Sequence, residues 1–262
     1  MVDALSGKVF LIITGASRGI GAEIAQQFSR LLAEGSHILL MARDLEKLRK
    51  NAEKMPKSVT CHCENVDLSV ATKDELKAII LKALGDKGVQ QYDRAVIVHN
   101  AATIGDLSKS TKDMDDLEEW RRYCDLNLFS PIILNSVFMN IFTDVSKVSR
   151  LVINVTSLCA IEPMKSSGFY NTGKAAREMF FKTFAAEFPT VNVLNWSPGP
   201  VDTDMFDTLT KESSDPQLRA KFNDLRDNHD ILTPEQSTNR LIMVLKHQSY
   251  KSGDHVDYYD QL

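Results

Sequence analysis

Short apolar runs typical of β-strands alternate with longer helical patterns over almost the whole sequence. Such alternation predicts βαβ units, in which right-handed helical crossovers join parallel strands and cover both faces of the sheet. The strands are expected at 9–14, 37–42, 60–66, 94–99, 151–156, 191–196 and near 255–258. The helices are expected near 20–32, 45–54, 73–84, 117–142, 174–188 and 234–245. We therefore predict one α/β domain built on a seven-stranded parallel sheet.

The composition agrees with a single globular domain. The chain has 262 residues, of which 43% are hydrophobic and 25% charged. A formal net charge of −4 gives no broad basic field, so nucleic acid and anionic membranes are not expected as partners. The start lacks the basic and apolar regions of a signal peptide, and no apolar run approaches the ~20 residues that span a bilayer. We expect a soluble, cytoplasmic protein.

The four cysteines, Cys61, Cys63, Cys124 and Cys159, are too few for a disulfide framework, and we expect reduced thiols. Cys61-His62-Cys63 has no second cluster with suitable spacing, so no metal site is predicted. Cys159 follows Ser157 closely and is assigned no role, although it could border a pocket.

Two regions carry expectations about covering and assembly. Residues 202–230 are polar with weak periodicity and follow the turn at Ser197–Pro200, which predicts a mobile segment that covers a substrate. The helical stretches 117–142 and 174–188 have more apolar surface than one sheet contact requires. We expect a homo-oligomer, and loop coverage within a monomer is the alternative.

A glycine-rich turn comes directly after the first strand and opens the first helix. Its spacing is Gly-x-x-x-Gly-x-Gly: Gly15 permits the tight turn, Gly19 lets the backbone approach a pyrophosphate, and Gly21 allows close helix packing. The remaining predicted cofactor contacts of this turn are Ala16, Ser17, Arg18 and Ile20. Unpaired N–H groups at the helix N-terminus favour an anion here, although a glycine turn without this function is the alternative.

The second strand is followed by Arg43, where a dinucleotide enzyme that uses NAD usually carries an acid. A guanidinium at this point, helped by Arg18, suits a 2′-phosphate, so NADP(H) is favoured over NAD(H). The neighbouring Asp44 and the possibility that Arg43 is merely solvated keep NAD(H) open. Three further cofactor contacts, Asp67, Leu68 and Asn100, follow the third and fourth strands, where ligands of open parallel sheets bind.

Tyr170 and Lys174 are four residues apart, and Ser157 precedes them by thirteen residues. On a helix this spacing places the lysine ammonium beneath the phenol, where it favours the phenolate and lowers the pKa of Tyr170. A serine hydroxyl nearby can hold a carbonyl or alcohol oxygen. The three residues predict a proton relay for a carbonyl/alcohol couple, and an ordinary surface pair at i,i+4 is the alternative.

The motifs Thr14–Gly21, Asn100–Ala102, Ser157, Tyr170-x-x-x-Lys174 and Pro198–Thr203 occur in an order that resembles the short-chain dehydrogenase/reductase family. The resemblance covers essentially the whole chain. It implies a Rossmann-type doubly wound domain in which Tyr170 is the acid/base, Lys174 tunes it and holds the nicotinamide ribose, and Ser157 steadies the substrate oxygen. Asn127 matches the family's helix asparagine, which supports a water-linked proton path. The resemblance also implies cofactor contacts from Val201, Asp202, Thr203, Asp204, Met205 and Phe206.

Within that family, the stretches 195–205 and 251–260 resemble members that reduce side-chain carbonyls of 6-substituted pterins with NADPH on the route to tetrahydrobiopterin. In that resemblance Asp257 anchors the pterin, and Leu158 and Gly199 are further substrate contacts. The apolar walls would come from Leu158, Met164, Trp196, Met205 and Phe206, although each of them is equally acceptable as an ordinary core residue. A homodimer is implied as well. A broad carbonyl or dicarbonyl reductase is the main alternative, and a catalytically silent NADPH-binding sensor or scaffold is a weaker one.

Overall fold

The structure, a computed structural model, describes residues 3–86, 88–143 and 147–261. The strands are β1 (Val9–Thr14), β2 (His37–Ala42), β3 (Thr60–Asn65), β4 (Arg94–His99), β5 (Ser149–Val155), β6 (Asn192–Ser197) and β7 (His255–Asp257). The helices are α1 (Gly19–Ser29), α2 (Leu45–Ala52), α3 (Lys73–Leu84), α4 (Leu117–Cys124), α5 (Ser130–Ile141), α6 (Gly168–Glu187), α7 (Asp204–Glu212), α8 (Pro216–Asp227) and α9 (Pro234–His247).

The strands form one parallel sheet in the order β3-β2-β1-β4-β5-β6-β7. The predicted α/β fold with seven parallel strands is confirmed. The chain crosses from β3, at one edge of the sheet, to β4, which pairs with β1, so the strand order switches direction between β1 and β4. In open parallel sheets, ligands bind at the carboxyl ends of the strands beside such a switch point.

Apolar residues cover both faces of the sheet. Every residue of β1 is buried, as expected for a central strand with helices on both sides. One face packs against α1 and α9 through residues such as Phe28 and Leu241. The other packs against α3, α5 and α6 through residues such as Ile80, Phe138 and Phe181. The two buried layers fix the sheet and leave its carboxyl edge for polar groups.

Three helical predictions need correction. The sixth helix begins at Gly168 rather than near residue 174, so Tyr170 and Lys174 both lie on it. The stretch predicted as one helix at 117–142 is α4 and α5 joined by one π-helical segment at Asp125–Phe129. The weakly periodic region 202–230 contains α7 and α8.

The combined segment Leu117–Ile141 is long and apolar enough to cross a membrane by length and composition alone. The core helix of a globular protein meets the same criterion. Here Leu134, Val137 and Phe138 of α5 pack in the core beside the sheet. This packing favours the role of a core helix.

Candidate active site

The glycine-rich turn has the geometry of an anion-binding loop. Gly15 has a φ of +66°, which L-residues with side chains rarely adopt. A Cβ on Gly21 would lie 2.4 Å from Nδ2 of Asn100 and 2.5 Å from the carbonyl oxygen of Gly15, so only glycine fits there. Helix α1 starts at Gly19, and no side chain caps its first N–H groups. Those donors are therefore free to bind an anion.

A cavity of about 590 Å³ opens at the carboxyl ends of β1 to β5. The predicted cofactor residues that line it are Gly15, Ser17, Arg18, Gly19, Ile20, Arg43, Asp44, Asp67, Leu68, Asn100, Lys174, Asp202, Thr203, Asp204 and Met205. Ala16 is fully buried behind the turn, and Gly21 serves packing. Val201 and Phe206 line a second, adjoining cavity instead. We call these the cofactor cavity and the substrate cavity.

Arg43 and Asp44 differ sharply in their contacts. The carboxylate of Asp44 caps α2, accepting from the backbone N–H of Lys47 at 3.0 Å, and this hydrogen bond lowers its pKa. Arg43 contributes its positive charge to the cavity and helps to lower the pKa of Asp67, after the larger effect of hydrogen bonds from Ser69. The acid beside Arg43 is thus committed to a helix cap.

Arg18, predicted to help Arg43, forms an ion pair with Asp204 at the start of α7. Both side chains are mostly exposed, so the pair contributes little to stability. It joins the glycine turn to α7, a helix that lines both cavities.

Asn100 acts on the glycine turn through its amide. Nδ2 donates to the carbonyl oxygens of Thr14 at 3.0 Å and Gly15 at 3.2 Å. Its backbone N–H donates to the hydroxyl of Thr14 at 3.0 Å. The residue therefore fixes the turn after β1 to the loop after β4, and it lines the cofactor cavity as well.

Tyr170 and Lys174 lie at the floor where the two cavities meet. Tyr170 lines both of them, and Ser157 lines the substrate cavity. Nζ of Lys174 is 5.4 Å from the centroid of the Tyr170 ring and donates to the carbonyl oxygen of Val155 at 2.7 Å. The structure brings the three predicted relay residues together.

The electrostatics of the relay differ from the expectation that Lys174 lowers the pKa of Tyr170. Burial raises the pKa of Tyr170, and a hydrogen bond with Ser157 and the charge of Arg177 oppose this effect only in part. Burial and the charge of Arg177 also hold the pKa of Lys174 well below its usual value. Burial also lowers the pKa of Arg177 to about 10, so near neutral pH Arg177 is the cation that acts on the phenol, and it lies outside the sequence motifs.

Asn127 lies in the π-helical segment between α4 and α5, and π-helical turns are frequent at functional sites. Its side-chain oxygen accepts from the backbone N–H of Thr103 at 2.9 Å, and its Nδ2 donates to the carbonyl oxygen of Tyr123 at 2.9 Å. The side chain therefore ties the loop after β4 to this helix. Its predicted support of a water-linked proton path stays a prediction.

The substrate cavity, of about 620 Å³, contains the predicted anchor Asp257. Asp257 ends β7, and its Oδ2 accepts from the hydroxyl of Ser197 at 2.5 Å, while Oδ1 accepts from the backbone N–H of Tyr259 at 3.1 Å. Each oxygen thus has one protein donor and keeps acceptor capacity for a ligand. Ser197, the last residue of β6, fixes the direction of this carboxylate.

The walls of the substrate cavity are mostly apolar. Leu158, Met164, Met205 and Phe206 line it as predicted, and so does Gly199, whose φ is +75°. The prediction for Trp196 is wrong, because its side chain is fully buried in the core. The missed apolar wall residues are Leu209, Leu218, Phe222 and Leu225, from α7 and α8.

The sequence does hold a signal for α8. Asp215 caps this helix by accepting from the backbone N–H of Leu218 at 2.8 Å, and Pro216 takes its first position. Leu218, Phe222 and Leu225 follow at i, i+4 and i+7. This spacing marks one apolar face.

A buried carboxylate, Glu178 of α6, joins the relay to the anchor strand. Its Oε2 accepts from the hydroxyl of Thr156 at 2.6 Å and from Nδ1 of His255 at 2.8 Å, and its Oε1 lies 2.7 Å from Nζ of Lys182. Thr156 precedes Ser157, and His255 precedes Asp257 by two residues. Glu178 therefore links the elements that carry the two groups facing a substrate.

Comparisons with known proteins agree with this geometry. A family model described as short chain dehydrogenase matches residues 9–214. The chain is similar to sepiapterin reductase from Mus musculus, with 37% identity over 97% of this chain and 98% of that one. It is also similar to benzil reductase ((S)-benzoin forming) from Bacillus subtilis, with 27% identity over 90% of this chain and 92% of that one.

A solved short chain dehydrogenase/reductase from Saccharomyces cerevisiae has a TM-score of 0.80. It is 25% identical and covers 97% of each chain. The relatives and the structural match therefore extend over nearly the entire fold described above.

Proposed function

The chain belongs to the short chain dehydrogenase family, and from this we propose that it is a sepiapterin reductase, which reduces side-chain carbonyls of 6-substituted pterins with NADPH. The observation that carries the substrate class is the position of Asp257. Its carboxylate lies in a largely apolar cavity that also contains Tyr170 and Ser157. A flat apolar ring with adjacent N–H donors matches those surroundings.

The cofactor cavity fits a nicotinamide dinucleotide. Only glycine fits at Gly21, and the uncapped N-terminus of α1 offers N–H donors to a pyrophosphate. Asn100 lines the cavity beside the glycine turn, and Lys174 and Tyr170 line the same cavity. When bound there, the nicotinamide supplies hydride for the reduction of a carbonyl.

The preference for NADP(H) is supported by the contrast between Arg43 and Asp44. Arg43 lines the cavity after β2, where a 2′-phosphate would lie, whereas the Asp44 carboxylate is used to cap α2. A guanidinium pairs well with a phosphate, and an acid directed at the ribose would repel it.

The relay residues supply the proton. Tyr170 donates its phenolic proton to the carbonyl oxygen as hydride reaches the carbonyl carbon, so the products are an alcohol and a tyrosinate. Ser157 holds the same oxygen, and Lys174, beneath the ring, provides the route by which the phenol is reprotonated. Asn127 supports this route by holding the loop that follows β4.

Asp257 would hold the pterin at the far end of the cavity. Two parallel hydrogen bonds from the 2-amino group and the adjacent ring N–H to one carboxylate would fix the ring plane. Fixing the ring decides which side-chain carbonyl meets Tyr170 and Ser157. The apolar residues of α7 and α8 cover the ring from the other side, and we propose that the segment 202–230 moves to admit it.

The test is the consumption of NADPH with sepiapterin and, in parallel, with diacetyl as a small diketone. We expect kcat/KM for sepiapterin to exceed that for diacetyl by about a hundredfold or more, since only the pterin reaches Asp257. Equal values would indicate a broad dicarbonyl reductase, which the likeness to benzil reductase also supports. If neither substrate led to oxidation of NADPH, the protein would be a cofactor-binding protein without catalytic activity.

The same proposal places the protein in the cytoplasm, in tetrahydrobiopterin synthesis. The place in this pathway is supported by the likeness to several sepiapterin reductases of 34–37% identity. Loss of the gene should lower cellular tetrahydrobiopterin and leave a fluorescent fusion of the protein in the cytosol. An unchanged pterin content or an organellar fusion would contradict this placement.

A homodimer is part of the proposal. Phe129 and Ile133, from the α4–α5 region, and Met179 of α6 are exposed apolar side chains. Large exposed apolar side chains on adjacent helices favour association with a second copy. Light scattering should give twice the chain mass, and Met179→Glu should lower it toward one chain. Met243→Glu, at an exposed apolar residue of α9, is the matched control.

A further inference from the structure

Arg177 is an almost completely buried guanidinium beneath the relay. Its residue is 1% exposed, and it lies on α6 three residues after Lys174 and seven after Tyr170. Residues at this spacing share one face of a helix. The face of α6 that carries the relay therefore also carries a third polar residue, directed toward the sheet.

The guanidinium binds only neutral oxygens. Nε donates to Oδ1 of Asn154 at 2.6 Å, one terminal nitrogen donates to the carbonyl oxygen of Ala101 at 3.2 Å, and the other donates to the carbonyl oxygen of His99. No carboxylate forms an ion pair with Arg177 in the described ranges 3–86, 88–143 and 147–261. An unpaired buried charge is costly, so a structural role alone explains it poorly.

The groups around the relay do not neutralise this charge. Burial and the charge of Arg177 lower the pKa of His99 to about 3, so its imidazole stays neutral. Burial raises the pKa of the Tyr123 phenol on α4 and of the Cys159 thiol beyond β5, so both stay protonated near neutral pH. Glu178, the next residue of α6, is engaged with Thr156, His255 and Lys182.

We propose that Arg177 is a positioning residue that supplies a buried positive charge to the proton relay of Tyr170 and Lys174. The anion that this charge meets is the tyrosinate formed during turnover. As hydride adds to the carbonyl carbon, the O–H bond of Tyr170 breaks and a new O–H bond forms on the substrate. The guanidinium interacts electrostatically with the phenol of Tyr170, so it stabilises the negative charge left there.

Arg177 shifts the pKa of both relay residues in the same direction. A fixed cation favours the phenolate of Tyr170 and the neutral amine of Lys174, and Arg177 lowers the pKa of each. The pH–rate profile reports the apparent pKa values of the groups that take part in turnover. Removing the charge must raise those values, whichever group loses the proton first.

The test compares pH–rate profiles of Arg177→Met, Arg177→Gln and Arg177→Lys. Glutamine keeps hydrogen-bond donors without the charge, and lysine keeps the charge with fewer donors. Arg122→Gln removes an exposed cation of α4 as a matched control. The assay follows NADPH oxidation with whichever of sepiapterin and diacetyl turns over faster. The proposal rests on carbonyl reduction by the relay, not on the choice of pterin as substrate.

We expect the basic limb of the profile to move up by about one pH unit or more in the Met and Gln variants. The Lys and Arg122→Gln variants should stay within a few tenths of a unit of the parent. A basic limb at the pH of the parent, with an equal loss of rate at every pH, would mean that Arg177 only holds the backbone after β4 in place. This result would overturn the proposal. An equal shift in the Lys variant would overturn it too. If Arg177→Met does not fold, the Gln and Lys pair decides.

Discussion

The cofactor cavity and the substrate cavity share Tyr170 but are built in different ways. The cofactor cavity is formed at the carboxyl ends of adjacent strands by short segments: the glycine turn after β1, Arg43 after β2, Asp67 after β3 and Asn100 after β4. The substrate cavity combines the loop after β5, helices α7 and α8, and the last strand. One site is thus set by local motifs, and the other by long-range packing.

The two cavities therefore have different roles: one binds the cofactor, and the other selects the substrate. The backbone geometry of the glycine turn and the position of Arg43 suit a ligand common to many enzymes of this fold. The residues that select a carbonyl substrate, above all Asp257 and the apolar face of α8, are far apart in sequence. Changes in one cavity should therefore leave ligand binding in the other nearly intact.

The largest expected effect is on Tyr170, where the cavities meet. Tyr170→Phe removes the proton donor and keeps the ring, so kcat should fall by about a thousandfold. The Kd for NADPH, from fluorescence titration, should change by less than about threefold. A comparable loss of cofactor affinity would show that Tyr170 mainly binds the cofactor rather than donating the proton.

Glu178 joins the relay to the anchor strand, and its effect should depend on pH. Although burial raises its pKa, hydrogen bonds from His255, Lys182 and Thr156 hold that pKa at about 2, below the ordinary 4.5. A lowered folded-state pKa stabilises the protein above pH ~4.5, and this contribution is lost as the pH falls toward ~2. Glu178→Gln should therefore cost on the order of 2 to 3 kcal/mol at pH 7.

Denaturant unfolding of the parent and Glu178→Gln at pH 7, 5, 4 and 3 measures this difference. The difference in the free energy of unfolding should be constant between pH 7 and 5 and become smaller below pH 5. Lys182→Gln, which removes only the partly exposed partner of the carboxylate, should cost less than about 1 kcal/mol. A difference that grows on acidification would show that the ionised carboxylate does not stabilise the fold.

The next effect tests the cofactor cavity alone. Arg43→Asp should lower the preference for NADPH over NADH by about a hundredfold, because a phosphate loses its charged partner and gains a repelling one. The KM for the carbonyl substrate should stay within about threefold. Arg49→Ala is the control, since it removes an exposed cation of α2 that lines neither cavity. An unchanged cofactor ratio in Arg43→Asp would reject this residue as the determinant.

Asp257→Asn tests the substrate cavity alone. It replaces one acceptor oxygen by a donor, so kcat/KM for sepiapterin should fall by about thirtyfold while that for diacetyl changes by less than about threefold. Asp230→Asn removes a charge from the exposed segment before α9 and should affect neither. Equal losses on both substrates would mean that Asp257 supports the fold rather than the pterin.

The smallest expected effect concerns the orientation of the Asp257 carboxylate. Ser197→Ala removes the hydroxyl that donates to Oδ2 of Asp257 at 2.5 Å and leaves the carboxylate in place. Loss of one orienting hydrogen bond should lower kcat/KM for sepiapterin by about three- to tenfold, with NADPH affinity unchanged. In Asp257→Asn the added Ser197→Ala change should have almost no effect. Additive losses would place the two residues in separate roles.

The sequence predicted the cofactor half of this fold well, because its signals are local. The strand positions were predicted within about two residues, and the glycine spacing located the anion site at the start of α1. Tyr170, Lys174 and Ser157 were found through their motif and come together in the structure.

The features that the sequence did not predict correctly depend on tertiary structure. The two helices in 202–230 carry many charges, which weakens the apolar periodicity that predicts a helix. Asp215 and Pro216, which mark the start of α8, were the available signal. Trp196 was placed in the pocket wall although it lies on a core strand. Arg177 has no motif of its own, and burial without a carboxylate partner is visible only in three dimensions.

The central claim, that one carboxylate selects the substrate while local motifs hold the cofactor, is tested most directly by a structure of the protein with NADP⁺ and sepiapterin. We predict that both Asp257 oxygens lie within hydrogen-bond distance, about 2.7 to 3.1 Å, of the pterin 2-amino nitrogen and the adjacent ring nitrogen. The side-chain carbonyl should then contact Tyr170 and Ser157. A pterin bound with Asp257 turned to solvent, or with the ring amine directed away from it, would contradict the account.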